Sequence, residues 1–304
     1  MRLVCLLIIL TSLFFDLNAQ NKNRAKSSNN SLKLNTSWDQ HKQRKKILLI
    51  SEFSSYVIAL AGLNQLWYAG YPRSKFHFIN DNQEWLQMDK MGHLTASYYT
   101  GVVGIKSYEW AGFTKQKAIW YGGMTGSIFL TIIEILDGTS KQWGASSGDL
   151  IANSTGSFLA ILQAIKWNEQ KIQLKYSYTP TKWAEINPKQ LGANHLERAL
   201  KDYNGQTYWA SLNVKSLLNI ESNNFPNWIA ISIGYGADGM INPYSKNSDN
   251  TNRQYLLSFD IDLNRIETRS KMLNTILHTF GFLKFPAPTI ELTKGNILFH
   301  PIYY

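Results

Sequence analysis

The chain has 304 residues, of which 44% are hydrophobic, so it can build one large or two ordinary domains around a sizeable core. Its formal net charge is +10, and its single cysteine, Cys5, lies in the first apolar run. If that run is removed, composition excludes disulfides, thiolate catalysis and cysteine metal sites from the mature chain.

The first residues predict a secretory signal. Arg2 is followed by an apolar run that is too short to span a bilayer, and Ala19 offers a small residue at a cleavage position. We expect residues 1–19 to be removed and the rest of the chain to be exported. Cys5 lies too early to be the lipid-attachment cysteine of a lipoprotein, which would stand at the cleavage point.

Residues 20–46 form a basic segment rich in Ser and Asn, in which eight lysines and arginines face one acid, Asp39. Such a composition is typical of a solvated, flexible arm. Nucleic-acid binding needs stacking aromatics among the basic residues, and this arm has only Trp38, so no nucleic-acid partner is expected. Anionic lipid headgroups fit the arm better.

Four apolar segments with few charges predict helices, and together they predict a bundle over residues 47–168. Glycines recur on their faces and allow close approach of neighbouring helices, in membranes especially. Two of the charge-free stretches are short for a hydrocarbon core of ~30 Å, so we expect a membrane-associated bundle rather than four certain spans. The helices are predicted at 47–71, 89–107, 118–136 and 149–167.

The composition changes near residue 169, where alternating apolar and polar residues begin to predict strands. The strands are expected at 171–178, 228–236 and 254–263, with a terminal hairpin of 290–292 and 297–302 and a helix within 269–283. The fold class is therefore predicted as α+β. About four apolar helices precede a mixed region, residues 169–304, with a small antiparallel sheet.

Ionisable residues lie at or near the ends of three of the predicted helices. Asp89 and His93 are four residues apart and share one helical face, as Asp149 and Asn153 do on a later helix. Glu134 lies near the end of the helix between them. Packed up and down, these helices would bring the groups together.

A carboxylate beside an imidazole can perform general acid–base chemistry or bind a hard or borderline cation. No tight metal motif such as HExxH occurs, so no cofactor is predicted, and a metal at this cluster is left open. The predicted site consists of Asp89, His93, Glu134 and Asp149, with supporting residues Lys90, Asp137, Ser147, Asn153 and Gly156.

Each of these residues also has a structural explanation. Asp89 can cap its helix, His93 can be a satisfied core histidine, and Asp149 can stabilise a helix N-terminus through the macrodipole. Ser146-x-x-Asp149 has the shape of a capping box, with Asp in place of the usual Glu. Asn153 and Gly156 can simply allow close packing.

The motif series resembles known envelope families. Asp-Lys-x-x-His on one helix, a Glu closing the next, and then Ser-x-Asp-x-x-x-Asn-x-x-Gly are similar to the VanZ-like motifs. They resemble more closely the YfiM-like family of predicted periplasmic proteins, whose function is unknown. Residues 202–209, 234–240 and 286–289 look like the longer members of that family. The resemblance implies a Gram-negative envelope protein and brings no known reaction. Shorter members are predicted lipoproteins, from which this chain departs.

A dinucleotide fingerprint is rejected. Residues 234–239 fit G-x-G-x-x-G, but Asn242-Pro243 follows where the fingerprint needs a helix to hold the pyrophosphate. A strand that ends in a glycine turn explains these residues.

Three functions remain open at this stage. The first is an envelope enzyme or lipid-handling protein that uses the polar site on a lipid or another envelope component. The second is a scaffold in which the same residues only lock the helices together. The third is an outer-membrane-associated protein whose strand-rich half pairs with another chain. Oligomeric state and the number of membrane spans are not predicted.

Overall fold

The computed structural model describes residues 30–68, 70–244 and 251–304. The predicted signal, residues 1–19, and residues 20–29 of the predicted arm lie outside this range. Helices and an antiparallel sheet are both present, which confirms the α+β class. The chain divides into two compact units: the residues up to Ile79 with Ala96–Lys166, and Asn80–Thr95 with Trp167–Tyr304.

The long helices lie where the apolar segments predicted them. A wider helical turn at Asn64–Tyr68 continues the first helix, and a similar turn at Ala118–Gly122 lies within the third. Two short strands, β1 (Phe78–Ile79) and β2 (Ala145–Ser146), form a parallel pair. The helices are α1 (Asn30–Leu63), α2 (Met88–Trp110), α3 (Lys115–Gly138) and α4 (Ser147–Trp167).

Helix α1 begins at Asn30, inside the segment 20–46 that was predicted as a basic arm, and it includes residues 38–46, which the sequence also indicates as a charged helical lead-in. Two basic residues at the end of that segment pack on aromatic rings. The Arg44 guanidinium lies 5.4 Å from the centre of the Trp110 ring, and the Lys45 ammonium lies 4.8 Å from that of Phe113. Cation–π contacts and the packing of the aliphatic stems hold the basic residues against the rings.

Glycines set the distance between helices α2 and α3. A Cβ atom on Gly104 would lie 2.1 Å from the carbonyl oxygen of Gly122, and one on Gly126 would lie 2.2 Å from that of Ser97. The backbones meet directly at these points, as the glycine-rich faces predicted. Beside them, Phe129 and Leu130 pack with Ala59 of α1 in a buried apolar cluster.

The second unit is built on a six-stranded antiparallel sheet in which the strands follow in chain order. Short helical segments precede and follow β4, and α9 (Lys271–Thr279) lies within the predicted helix 269–283. The other short helices are α5 (Trp183–Ile186), α6 (Pro188–Leu191), α7 (His195–Lys201) and α8 (Val214–Leu217). The strands are β3 (Ile172–Tyr178), β4 (Gln206–Asn213), β5 (Ile229–Asp238), β6 (Asn252–Ile261), β7 (Ala287–Thr293) and β8 (Asn296–Tyr303).

Four expectations can be compared with this sheet. The three predicted single strands correspond to β3, β5 and β6, and the terminal hairpin corresponds to β7 and β8. The hairpin turns at Lys294 and Gly295, which have φ angles of 46° and 77°, the left-handed conformations of a tight hairpin turn. Residues 234–238 lie inside β5, and residues 239–244, the described residues that follow it, contain no helix, in agreement with the rejection of a dinucleotide fingerprint. Strand β4 was not predicted.

The sheet exposes its apolar face and buries its polar face, which is the reverse of the usual arrangement in water. In one row across neighbouring strands, Ile233, Leu257, Ile290 and Phe299 are all exposed. The adjacent row on the opposite face is polar and buried, and its members are Gln173, Ser211, Ser232, Ser258 and Thr289. A sheet in water normally buries its apolar face and exposes its polar one. The exposed face is therefore suited to an apolar neighbour.

An ion-pair network lies on the buried polar face. The Lys175 ammonium is 2.9 Å from Asp260 Oδ2, and both side chains are fully buried. Lys284 Nζ lies 3.7 Å from Asp260 Oδ1, and the Ser211 hydroxyl donates a hydrogen bond of 2.6 Å to Oδ2. These cations and hydroxyls outweigh the cost of burial and hold the pKa of Asp260 below its usual range, although burial alone would raise it.

Candidate functional site

A strained turn precedes helix α2 and sets the position of its first residues. Trp85, Leu86 and Gln87 are consecutive non-glycine residues with φ angles of 48°, 50° and 66°. Each such residue costs on the order of 1–3 kcal/mol and persists only where its surroundings hold it. The Leu86 carbonyl oxygen accepts hydrogen bonds from the Tyr235 hydroxyl at 2.5 Å and from Arg253 at 3.1 Å. Two strands of the sheet thus hold the turn that leads to Asp89.

The Asp89 carboxylate lies in the first turn of α2 and is oriented by a tyrosine. The Tyr203 hydroxyl donates a hydrogen bond of 2.5 Å to Asp89 Oδ1, and the Tyr203 ring packs on Trp85 with centroids 5.3 Å apart. The neighbouring Lys90 forms an ion pair of 2.6 Å with Asp81. Burial raises the pKa of the nearby Glu84 carboxyl, and repulsion from Asp81 and Asp89 adds to this shift.

Asp149 is fixed by the hydrogen bonds at the start of helix α4. Its backbone N–H donates to Ser146 Oγ at 3.1 Å, which is the Ser half of the predicted capping box. The Ser146 N–H in turn donates to Glu134 Oε2 at 2.9 Å. Glu134 is 2% exposed and Asp149 is 3% exposed, so both carboxyl groups belong to the interior.

Ser97 joins helix α2 to helix α4. Its hydroxyl donates to the Asn153 carbonyl oxygen at 2.5 Å and lies 3.0 Å from the Ser157 hydroxyl. One turn further along α2, a Cβ on Gly101 would lie 3.5 Å from Ala160. The two helices therefore run in the same direction past each other. One turn before Ser97 is His93, and one turn before Asn153 is Asp149.

Two of the predicted residues, both on helix α2, offer ligand atoms close to each other. One carboxylate oxygen of Asp89 and one ring nitrogen of His93 lie within 4.8 Å of each other. An ion bound at about 2.1 Å needs tetrahedral ligand atoms roughly 3.5 Å apart, so a small side-chain rotation would let both atoms bind one ion. An imidazole nitrogen with a carboxylate oxygen suits Zn²⁺ or Mn²⁺.

The other predicted residues have structural contacts. The Glu134 carboxylate binds the Ser146 backbone, and Asp137 accepts a hydrogen bond of 2.7 Å from the Tyr68 hydroxyl. Ser147 is the exposed first residue of α4, while Asn153 and Gly156 are buried within it. Convergence of all four predicted site residues, and the supporting roles of the others, stay predictions.

Two contact residues were missed at the level of sequence. Tyr203 belongs to the stretch 202–209, which was noted only for its likeness to the longer YfiM-like proteins, and Ser97 is an ordinary small residue within a helix. The signal for Ser97 is its position four residues after His93, on the same helical face. For Tyr203 no local signal exists, because its partner Asp89 is 114 residues away.

Residues 77–165 match a family described as predicted periplasmic lipoprotein (DUF2279). No curated protein matches the chain. No solved structure matches it either. The matched range contains every predicted site residue, and the description confirms the predicted localisation: the protein is exported and associated with the cell envelope. The finer resemblance to YfiM-like and VanZ-like proteins stays a prediction.

Proposed function

We propose that helices α1 to α4 form the predicted bundle and that this envelope protein binds a divalent cation, Zn²⁺ or Mn²⁺, through Asp89 and His93. The observation that supports the cation site is the approach of their ligand atoms to within 4.8 Å of each other. Tyr203 positions the Asp89 carboxylate through the hydrogen bond described above. Such outer contacts orient ligands and raise affinity at protein metal sites.

Two protein ligands leave at least two coordination positions open for oxygen atoms from outside. The phosphate of a lipid headgroup or of another envelope component is a hard anionic ligand that suits these positions. A bound cation would supply Lewis acidity there. This extends the predicted role in binding, or acting on, a lipid or an envelope component.

Isothermal titration of the purified full chain with ZnCl₂ and MnCl₂ tests the proposal. We expect one cation per chain, and at least about a tenfold loss of affinity in His93→Gln and in Asp89→Asn. His195→Gln is the matched control, since His195 is an exposed histidine on α7. Binding should weaken in acid, because protonated imidazole cannot ligate.

The scaffold hypothesis gives the opposite pattern. If these residues only stabilise helix packing, His93→Gln and Asp89→Asn lower the melting temperature in the absence of metal, and neither cation raises the melting temperature of the wild type. Cation binding that survives unchanged in both variants would remove the proposed site, whatever the stability of the variants.

The exposed apolar face of the sheet favours a second candidate function, an outer-membrane-associated protein that pairs with another chain. Ile233, Leu257 and Ile290 are roughly half exposed in one continuous row. A photo-crosslinking residue at Leu257 should capture one envelope protein from the outer-membrane fraction. The control is the same residue at Leu218, an exposed leucine outside the sheet. Recovery of the protein only from the inner membrane would contradict this role.

A further inference from the structure

Helix α1 exposes an apolar face along most of its length. The stretch Asp39–Leu63 is long and apolar enough to cross a membrane, and only 17% of its most apolar window is buried. Phe53 is 71% exposed and Ile58 is 63% exposed, whereas Leu48 and Ala59 face the interior. Soluble proteins rarely leave a continuous apolar face of this kind uncovered.

Basic and aromatic residues are clustered at the start of this apolar face. Residues 39–48 and 106–121 carry seven lysines and arginines against two acids, Asp39 and Glu109. Arg44 and Lys45 pack on Trp110 and Phe113, which brings the two segments together. The basic–aromatic belt is the name used below for a set of six exposed side chains: Lys42, Lys46, Lys115, Lys117, Trp120 and Tyr121.

Beyond the belt, the surface of both helices is apolar. Leu48 packs against Ala118, and Ala59 packs against Phe129, so α1 and α3 run in the same direction away from the belt. From Ile47 to Leu63 the one charged residue is Glu52. It accepts hydrogen bonds from the Tyr56 and Tyr108 hydroxyls at 3.3 Å and 3.1 Å, on the inner side of the helix. Exposed side chains beyond the belt on α3 include Ile128 and Ile135.

We propose that the first unit docks into a bilayer containing anionic lipids, with the basic–aromatic belt at the headgroups and the exposed faces of α1 and α3 in the hydrocarbon. Charge complementarity between the belt and anionic headgroups selects lipid as the occupant of these faces. Trp and Tyr are enriched at the same depth in membrane proteins. About 17 residues of helix beyond Lys46 reach roughly 25 Å, close to the thickness of a hydrocarbon core. The inference is independent of the cation site.

Vesicle flotation tests the belt. The full chain, purified in mild detergent, is diluted into vesicles of phosphatidylcholine or of an equimolar mixture with phosphatidylglycerol. We expect tighter binding to the mixture and about a six-hundredfold loss in K42Q/K46Q/K115Q/K117Q, which is about fivefold for each of the four lysines. The matched control replaces four exposed lysines elsewhere, K75Q/K141Q/K189Q/K271Q. Equal binding of the two quadruple variants, or equal binding to the two vesicle types, would overturn the proposal.

A single fluorescent label tests the apolar face. In a Cys5→Ser background, Phe53→Cys is labelled with an environment-sensitive dye, and Leu218→Cys serves as the exposed control. We expect the label at position 53, but not that at position 218, to shift to the blue on the mixed vesicles and to be quenched by spin-labelled acyl chains. If the emission of the label at position 53 does not change on the vesicles, the proposal is overturned. If the label is already shielded without vesicles and the protein is a dimer, the apolar face belongs to a contact with a second copy of the chain, which also overturns the proposal.

Discussion

The Tyr203 hydroxyl donates a hydrogen bond to Asp89 Oδ1, although 114 residues separate the two along the chain. Tyr203 follows helix α7 and precedes β4, whereas Asp89 lies in the first turn of α2. Because this hydrogen bond holds one carboxylate oxygen, it also fixes the direction of the other oxygen. The contact therefore connects the strand-rich part of the chain to the proposed cation site.

Tyr203→Phe should weaken cation binding by about ten- to a hundredfold, because it removes the hydrogen bond that orients the Asp89 carboxylate. The ring, and thus its packing on Trp85, is kept. Titration calorimetry measures the change, and Tyr255→Phe, at a half-exposed tyrosine on the sheet, is the control. Unchanged affinity in Tyr203→Phe would show that Asp89 needs no such orientation.

Gly126→Ala should destabilise the protein by about 1–3 kcal/mol, because the new methyl group would lie 2.2 Å from the Ser97 carbonyl oxygen and force α2 and α3 apart. Gly70→Ala is the matched control, since nothing lies within 4 Å of its added Cβ. Thermal unfolding followed by circular dichroism compares them. Equal melting temperatures would mean that the two helices approach less closely at Gly126.

Lys175→Met should cost about 3–5 kcal/mol of unfolding free energy, because it removes one partner of a fully buried ion pair and leaves the Asp260 carboxylate in the interior. Lys182→Met, at an exposed lysine, provides the reference. Denaturant titration gives both values. A loss as small as that of the reference variant would contradict the buried pair.

The free energy of unfolding should rise with pH between about 8 and 10. Burial lowers the pKa of Lys284 to about 8, whereas an unfolded lysine keeps its proton until about pH 10.4. Between these values the unfolded chain binds more protons, so stability increases with pH. Lys284→Met should remove this slope, and Lys271→Met, at an exposed lysine, should keep it. Parallel pH profiles for the two variants would exclude Lys284 as the source.

Much of the secondary structure could be predicted because its signals are local. Apolar periodicity located helices α2, α3 and α4, and the pattern around Lys294–Gly295–Asn296 located the terminal hairpin. The packing of Arg44 and Lys45 on Trp110 and Phe113 could not be predicted, since these rings lie more than sixty residues later in the chain. Strand β4 was missed because the alternating residues that it buries are polar ones such as Thr207 and Ser211, together with Trp209.

The sequence alone determined the chemistry that is available: an exported chain with Asp89, His93 and Asp149 near the starts of apolar helices. Helical spacing placed Asp89 beside His93, since residues four apart share a face. Only the tertiary structure decided that Glu134 binds the Ser146 backbone, that Tyr203 reaches Asp89, and that the sheet hides its polar face. The physical reason is that these contacts join different elements of the fold, so they depend on how the elements pack and not on the order of residues within any one of them.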